Sequence, residues 1–168
     1  MMNDKTRSET IFTGYLPGAI GRIVELHADY YSLNWGFGLF FEARVAKEMS
    51  EFLSRFEEAR DGFWIISFND RIEGGIAIDG IKARTDGAHL RWFILSPEVQ
   101  GEGFGRRLME EAISFCRQKD YRKIYLATFE GLLAARHLYE KFGFRLTQQA
   151  EGAQWGKKVT EQKFEFLL

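Results

Sequence analysis

The chain has 168 residues, a length at which one domain (1–168) is the expectation and a core can be buried without disulfide staples. A formal net charge of −1 gives no support for nucleic-acid binding, and a single cysteine, Cys116, excludes an intrachain disulfide or a cysteine metal cluster and fits a reducing cytoplasm. His27, His89 and His137 lie too far apart for zinc spacing, no run approaches the roughly 18 apolar residues of a membrane span, and the polar N-terminus lacks a signal-peptide core.

Residues 1–8 read as a flexible tail, and residues 10–15 are β-prone enough for a first strand. Leu16-Pro17-Gly18 is a break, with Pro17 suited to an early helix position. Residues 19–31 place Ile20, Ile23, Val24, Leu26 and Tyr30 at helical spacing, and Asn34-Trp35-Gly36 reads as a turn. Residues 39–56 repeat the pattern through Phe40, Val45, Met49, Phe52 and Phe56, ending at Asp61-Gly62. Residues 63–68 and 72–81 are expected strands joined by a hairpin turn at Asn69-Asp70. Gly74-Gly75 marks a bulge or a close backbone approach. Thr85-Asp86-Gly87 turns the chain into a strand over 89–95. Ser96-Pro97 and a loop carrying Gly101, Gly103 and Gly105 follow. Then come a helix to about Lys119, a strand over 123–128, a helix over 132–142 capped by Gly143, a strand over 144–149, a turn over 152–156 and a last strand over 159–166. Helices first and strand–helix–strand units later give an α+β (α/β three-layer) fold with a mixed central sheet.

The glycine loop carries the chemistry. A helix opening directly from such a loop leaves several backbone N–H groups without internal partners. With the positive end of the helix dipole, these donors form an anion site. Arg106 and Arg107 in the first turn oppose the dipole unless an anion sits there. A tight strand-to-helix turn without ligand is the plain alternative. The dinucleotide fingerprint fits poorly, because Ser-Pro-Glu-Val separates strand from glycines and the strand over 123–128 lacks a terminal acidic residue. A nucleotide P-loop fails, since no Lys-Ser/Thr follows the last glycine.

A second block runs Ala134-Ala135-Arg136-His137-Leu138-Tyr139-Glu140-Lys141-Phe142-Gly143-Phe144. Together with Leu95-x-Pro97-x-x-Gln100-Gly101-x-Gly103-x-Gly105, it resembles the GNAT superfamily of acyl-CoA-dependent N-acyltransferases. The likeness is nearest to the acetyltransferase domains fused to MarR-type regulators, through His27-x-x-x-Tyr31, Trp35-Gly36 and Trp155-Gly156-Lys157. The resemblance implies a mostly antiparallel sheet with helices on both faces, acetyl-CoA as co-substrate without metal, and a primary amine of a small molecule or peptide as acceptor. No nucleic-acid or membrane partner is implied. The family pattern puts the pyrophosphate on the amides of Gln100, Gly101, Glu102, Gly103, Phe104, Gly105 and Arg106. The pantetheine arm would lie along the edge of Phe93, Ile94 and Leu95, where one amide polarises the thioester carbonyl. Ala135 and Phe129 complete the coenzyme site, Phe129 standing where relatives often carry asparagine. Tyr139 corresponds to the family's general acid. For the base, His89, Glu73, Glu42 and ordered water stay open, with His89 titrating in a useful range. Tyr30, Tyr31 and Trp35 either line the acceptor pocket or pack the first two helices. Cys116 reads as core. An exposed edge on the last strand offers a route to a homodimer. A coenzyme-binding sensor with little turnover is the competing function.

Overall fold

A computed structural model describes residues 9–168; the tail expected over 1–8 lies outside the described residues. Seven strands form one sheet in the order β1-β2-β3-β4-β5-β7-β6. They are β1 (Glu9–Thr13), β2 (Gly62–Phe68), β3 (Arg71–Asp79), β4 (Ala88–Leu95), β5 (Lys123–Phe129), β6 (Arg145–Gly152) and β7 (Val159–Leu167). Every pairing is antiparallel except β4 with β5. Four α-helices, α1 (Ala19–Trp35), α2 (Leu39–Ser54), α3 (Phe104–Gln118) and α4 (Leu133–Phe142), cover the sheet. The mixed, mostly antiparallel sheet with helices on both faces is the architecture expected.

The period of two along a strand sorts the core into two layers. On β2, Trp64 and Ile66 pack with Leu108, Met109 and Ala112 of α3, whereas Phe63 and Ile65 pack with Ala19 of α1 and Phe52 of α2. β3 repeats the division, with Ile76 and Ile78 toward α3 and Ala77 toward α2. Tyr139 of α4 joins the α3 layer. Cys116 is buried there, and burial pushes its thiol up to about 12.

Local chemistry explains most of the boundaries. Asn69 and Asp70 both take positive φ, 49° and 62°, as a two-residue hairpin turn of this hand requires. α4 ends on Gly143 at φ 105°, with the Gly143 N–H donating to Glu140 and the Phe144 N–H to Tyr139. α1 ends in the same way on Gly36 at φ 67°. The turn expected at Asn34-Trp35-Gly36 is therefore only the cap, and the helix runs through Trp35. α2 stops at Ser54, short of Phe56. β6 extends to Gly152, beyond the expected end at Gln149.

The last strand is not an edge. β7 pairs with β5 on one side and β6 on the other, so the pairing surface expected along it is already filled. The sheet edges are β1 and β6.

Two irregularities shape the middle of the sheet. Between β3 and β4, Gly75 pairs with Ile94 and Ala77 with Arg91, so one residue of β3 faces Trp92 and Phe93 of β4. This is a β-bulge, and Trp92 sits at φ 49° to make it. The paired glycines are needed beside it: a Cβ on Gly74 would lie 2.6 Å from the Ile94 carbonyl oxygen. On the other side, β4 pairs with β5 only at Ala88↔Ile124 and His89↔Tyr125. Beyond that point the two strands part.

Candidate active site

The parting of β4 and β5 opens a cavity of about 540 Å³ between the two helical layers. From Arg91 to Leu95 the β5-facing main chain of β4 has no strand partner, and an unpaired edge accepts an extended, amide-bearing ligand as an added strand. The Gln100 side-chain amide already donates to the Leu95 carbonyl at 3.2 Å. Phe93, Ile94, Leu95, Gln100, Gly101, Gly105, Phe129 and Ala135 line the cavity together with Tyr139 and His89. Sequence separations of up to fifty residues collapse into one site.

The mouth of α3 is open in the way an anion site needs. Gly101 and Gly103 both take φ 82°, and a Cβ at either would meet nothing within 4 Å. No main-chain carbonyl among the described residues takes the amides of Gly101, Gly103 or Gly105. Gly105 is packed instead: a Cβ there would lie 3.3 to 3.6 Å from the side chains of Leu95, Phe93 and Leu138. Glu102, Gly103, Phe104 and Arg106 do not line the cavity. The Phe104 ring is buried in the α3 core, and Arg106 pairs with Glu110 at 2.8 Å on the surface. At Gly103 and Phe104 only the main chain can be offered to a ligand.

Tyr139 is buried beside Phe93, Phe144 and Phe164, with ring centroids 6.0 to 6.3 Å away. No protein group among the described residues hydrogen-bonds its hydroxyl, which is not sealed from the cavity either. Burial raises this phenol well above its usual range, so it holds its proton at neutral pH. Tyr31 is raised likewise, by burial first and then by the phenols of Tyr139 and Tyr30.

The candidate bases separate. His89 lies at the closed end of the cleft, stacked on Tyr125 at 4.4 Å. Burial, aided by Arg91 and Lys163 and opposed by Asp79, lowers its imidazole to about 3. Glu73 is buried outside the cavity, held by Arg22 at 3.0 Å. Glu42 faces a separate depression beside Ser32 and Gly38. Tyr30 and Tyr31 line the cavity; Trp35 instead packs against Phe129 at 4.9 Å. Phe129 is enclosed by Tyr31, Phe37 and Trp155 as well.

Four cavity residues were invisible as a group in the sequence. Glu48 of α2 has one oxygen on Arg44 at 2.8 Å and the other on Arg91 at 2.5 Å. Arg91 continues to Asp79 at 3.4 Å, and Asp79 to Arg55 at 2.5 Å. Arg44 also donates to the Gln154 carbonyl, fixing the β6–β7 loop to α2. The fourth is His27, whose Nδ1 donates to the Ile23 carbonyl at 2.8 Å. Only its i, i+4 relation to Tyr31 marks it in the sequence. No cluster able to hold a metal ion is found among the described residues.

Known proteins share this frame. Residues 21–144 match the model of the acetyltransferase (GNAT) family. Human N-acetyltransferase 8B is 22% identical over 132 residues, covering 76% of this chain and 58% of its own length. This chain thus spans little more than half of that relative. An acetyltransferase from Streptococcus agalactiae superposes with a TM-score of 0.72 at 20% identity, over 98% of this chain and 99% of that one. A GNAT acetyltransferase from Elizabethkingia anophelis, solved with acetyl-CoA bound, gives 0.65 at 18% identity, over 95% and 98%. The parted strands, the bulge beside them and the glycine turn into α3 have a common explanation in that match: the chain belongs to the acetyltransferase (GNAT) family.

Proposed function

We propose that this chain transfers the acetyl group of acetyl-CoA to a primary amine of a small molecule or peptide, by direct attack in a ternary complex. The observation that carries the reading is the convergence at one cavity of an unpaired β4 edge, a loop whose Gly101, Gly103 and Gly105 amides have no main-chain acceptor among the described residues, and a protonated tyrosine. The amides from Gln100 to Arg106 take the pyrophosphate, and the β4 edge takes the pantetheine arm. The amine nitrogen attacks the thioester carbonyl, and a β4 amide stabilises the oxyanion. Collapse breaks the C–S bond, and the departing thiolate takes the Tyr139 proton. The amine sheds its own proton to water, and water returns a proton to the Tyr139 phenolate, closing the cycle. A neutral His89 serves here as a hydrogen-bond acceptor for that water, because an imidazole near 3 is a weak base.

Three finer readings belong with this one. The likeness to domains fused to MarR-type regulators rests on the sequence motifs alone; among the residues that carry them, Lys157 Nζ donates to the Trp35 carbonyl at 3.1 Å, and His27 stacks on Tyr31 at 6.2 Å. A cytoplasmic setting is supported by the buried free thiol of Cys116; no helix among the described residues is long and apolar enough to cross a membrane. A two-fold dimer through the sheet would run along β6.

The competing sensor function draws on Phe129 and on the lack of an unpaired carboxylate at the site. One experiment separates the two. Acetyl-CoA binding is measured by calorimetry and thiol release is followed across a broad amine panel. Binding with turnover supports transfer; binding without turnover of any amine supports the sensor.

A further inference from the structure

The coenzyme elements occupy only part of the cavity. The remainder is walled by α1, α2, the far end of β5 and the β6–β7 loop, and its chemistry is unlike that of the α3 mouth. Tyr30, Tyr31, Phe41, Trp92, Phe129 and Trp155 line it. Such rings accept an apolar or aromatic body and offer little to a hydrated one.

Its charges point the same way. Glu48 is the only carboxylate that lines the cavity among the described residues. Both of its oxygens are taken by guanidinium groups. The connected cluster of Arg44, Arg91 and Arg55 with Glu48 and Asp79 carries one positive charge in excess. A second ammonium group on an acceptor would meet no free anion and a net repulsion. Apolar walls and nearby positive charge also favour the uncharged form of a single amine, which is the nucleophile.

Beside these rings lies a neutral acceptor, His27. His27 is 6% exposed. A carbonyl only accepts, so the bond to Ile23 fixes the proton on Nδ1 and leaves a lone pair on Nε2. Nε2 has no protein partner among the described residues and is not sealed off, and the ring lines the cavity. We infer that the second half of the cavity takes a primary monoamine with an aromatic or bulky apolar body, its N–H directed at His27 Nε2, and discriminates against polyamines and other multiply cationic amines. The inference rests on the transferase reading for calling this ligand an acceptor.

The test reads binding, with no need of turnover. Calorimetry on the full chain, saturated with coenzyme A, compares 2-phenylethylamine with 1,4-diaminobutane and spermidine. The aromatic monoamine is expected to bind at least tenfold more tightly than either. Equal affinity, a preference for the polyamines, or no binding of the aromatic amine overturns the inference. His27→Asn retains a donor for the Ile23 carbonyl and removes Nε2; it should weaken 2-phenylethylamine about fivefold or more and leave coenzyme A affinity unchanged. Trp155→Ala, on the loop, should weaken the same amine independently, so full affinity in both variants removes the site. The two readings fail differently. Tight aromatic-amine binding with no acetylation defeats the transferase and leaves this site standing; efficient acetylation of spermidine in preference to 2-phenylethylamine does the reverse.

Discussion

The two halves of the cavity, one proposed for the coenzyme and the other for the amine, are built on opposite principles. The coenzyme half is main chain: a strand edge left unpaired by the parting of β4 and β5, a bulge at Trp92-Phe93, and the amides of a glycine loop. At the α3 mouth the side chains lead elsewhere, with Phe104 in the core and Arg106 on the surface. The amine half is side chain: rings from two helices, a strand and a loop, and a carboxylate held by guanidiniums from α2 and β4. A backbone site tolerates exchange at most of its side-chain positions and is sensitive at its glycines. A side-chain site changes selectivity with each residue that is exchanged.

The sharpest break of this contrast is at Tyr139. Tyr139→Phe should lower kcat by a hundredfold or more, the range for loss of a general acid, with acetyl-CoA affinity unchanged; steady-state kinetics with calorimetry checks both. Acid stability comes next. The folded imidazole of His27 sits at about 4, below its ordinary 6.5, because burial disfavours the charged form more than the Ile23 carbonyl favours it. A depressed histidine contributes stability that is complete above the unfolded value and is lost as pH falls from about 6.5 toward 4, since the unfolded chain then binds the proton first. That contribution is roughly 3 kcal/mol at neutral pH, and His89, at about 3, acts in the same direction. Thermal unfolding between pH 7 and pH 4.5 should show a falling Tm, with a shallower slope in His27→Gln. A smaller effect is expected at the backbone half: Gly103→Val forces a branched residue into φ 82°, costing about 1–2 kcal/mol, and should weaken acetyl-CoA about tenfold while sparing amine preference. Arg44→Gln should act conversely. It frees one oxygen of Glu48, and the preference for aromatic monoamine over diaminobutane should shrink a few-fold with coenzyme affinity unaltered.

What was legible in the sequence follows the same division. The α3 mouth could be read because backbone chemistry leaves a local trace: three glycines at alternate positions, a strand before them and a helical period after. Asn69-Asp70 and Gly143 were equally readable, since a positive φ restricts the residue type on the spot. Gly74-Gly75 announced the bulge without its partner. By contrast, Arg91 in a strand and Glu48 in a helix look like ordinary surface charges, forty-three residues apart. His89, one of several candidate bases by residue type, is stacked on Tyr125 and lowered by burial, and neither is visible in the sequence. The edge expected on β7 was lost because chain order gave no hint that the final strand inserts between β5 and β6.

The sequence by itself determined the periodic elements, the left-handed turns and the glycine loop, because each is a local constraint on φ, ψ or burial that neighbouring residues express directly. Only the tertiary structure decided where β4 and β5 separate, which side chains then face one another across the gap, and what charge they sum to. Those outcomes depend on packing between residues far apart in the chain, where each partner's role is defined by the other's position.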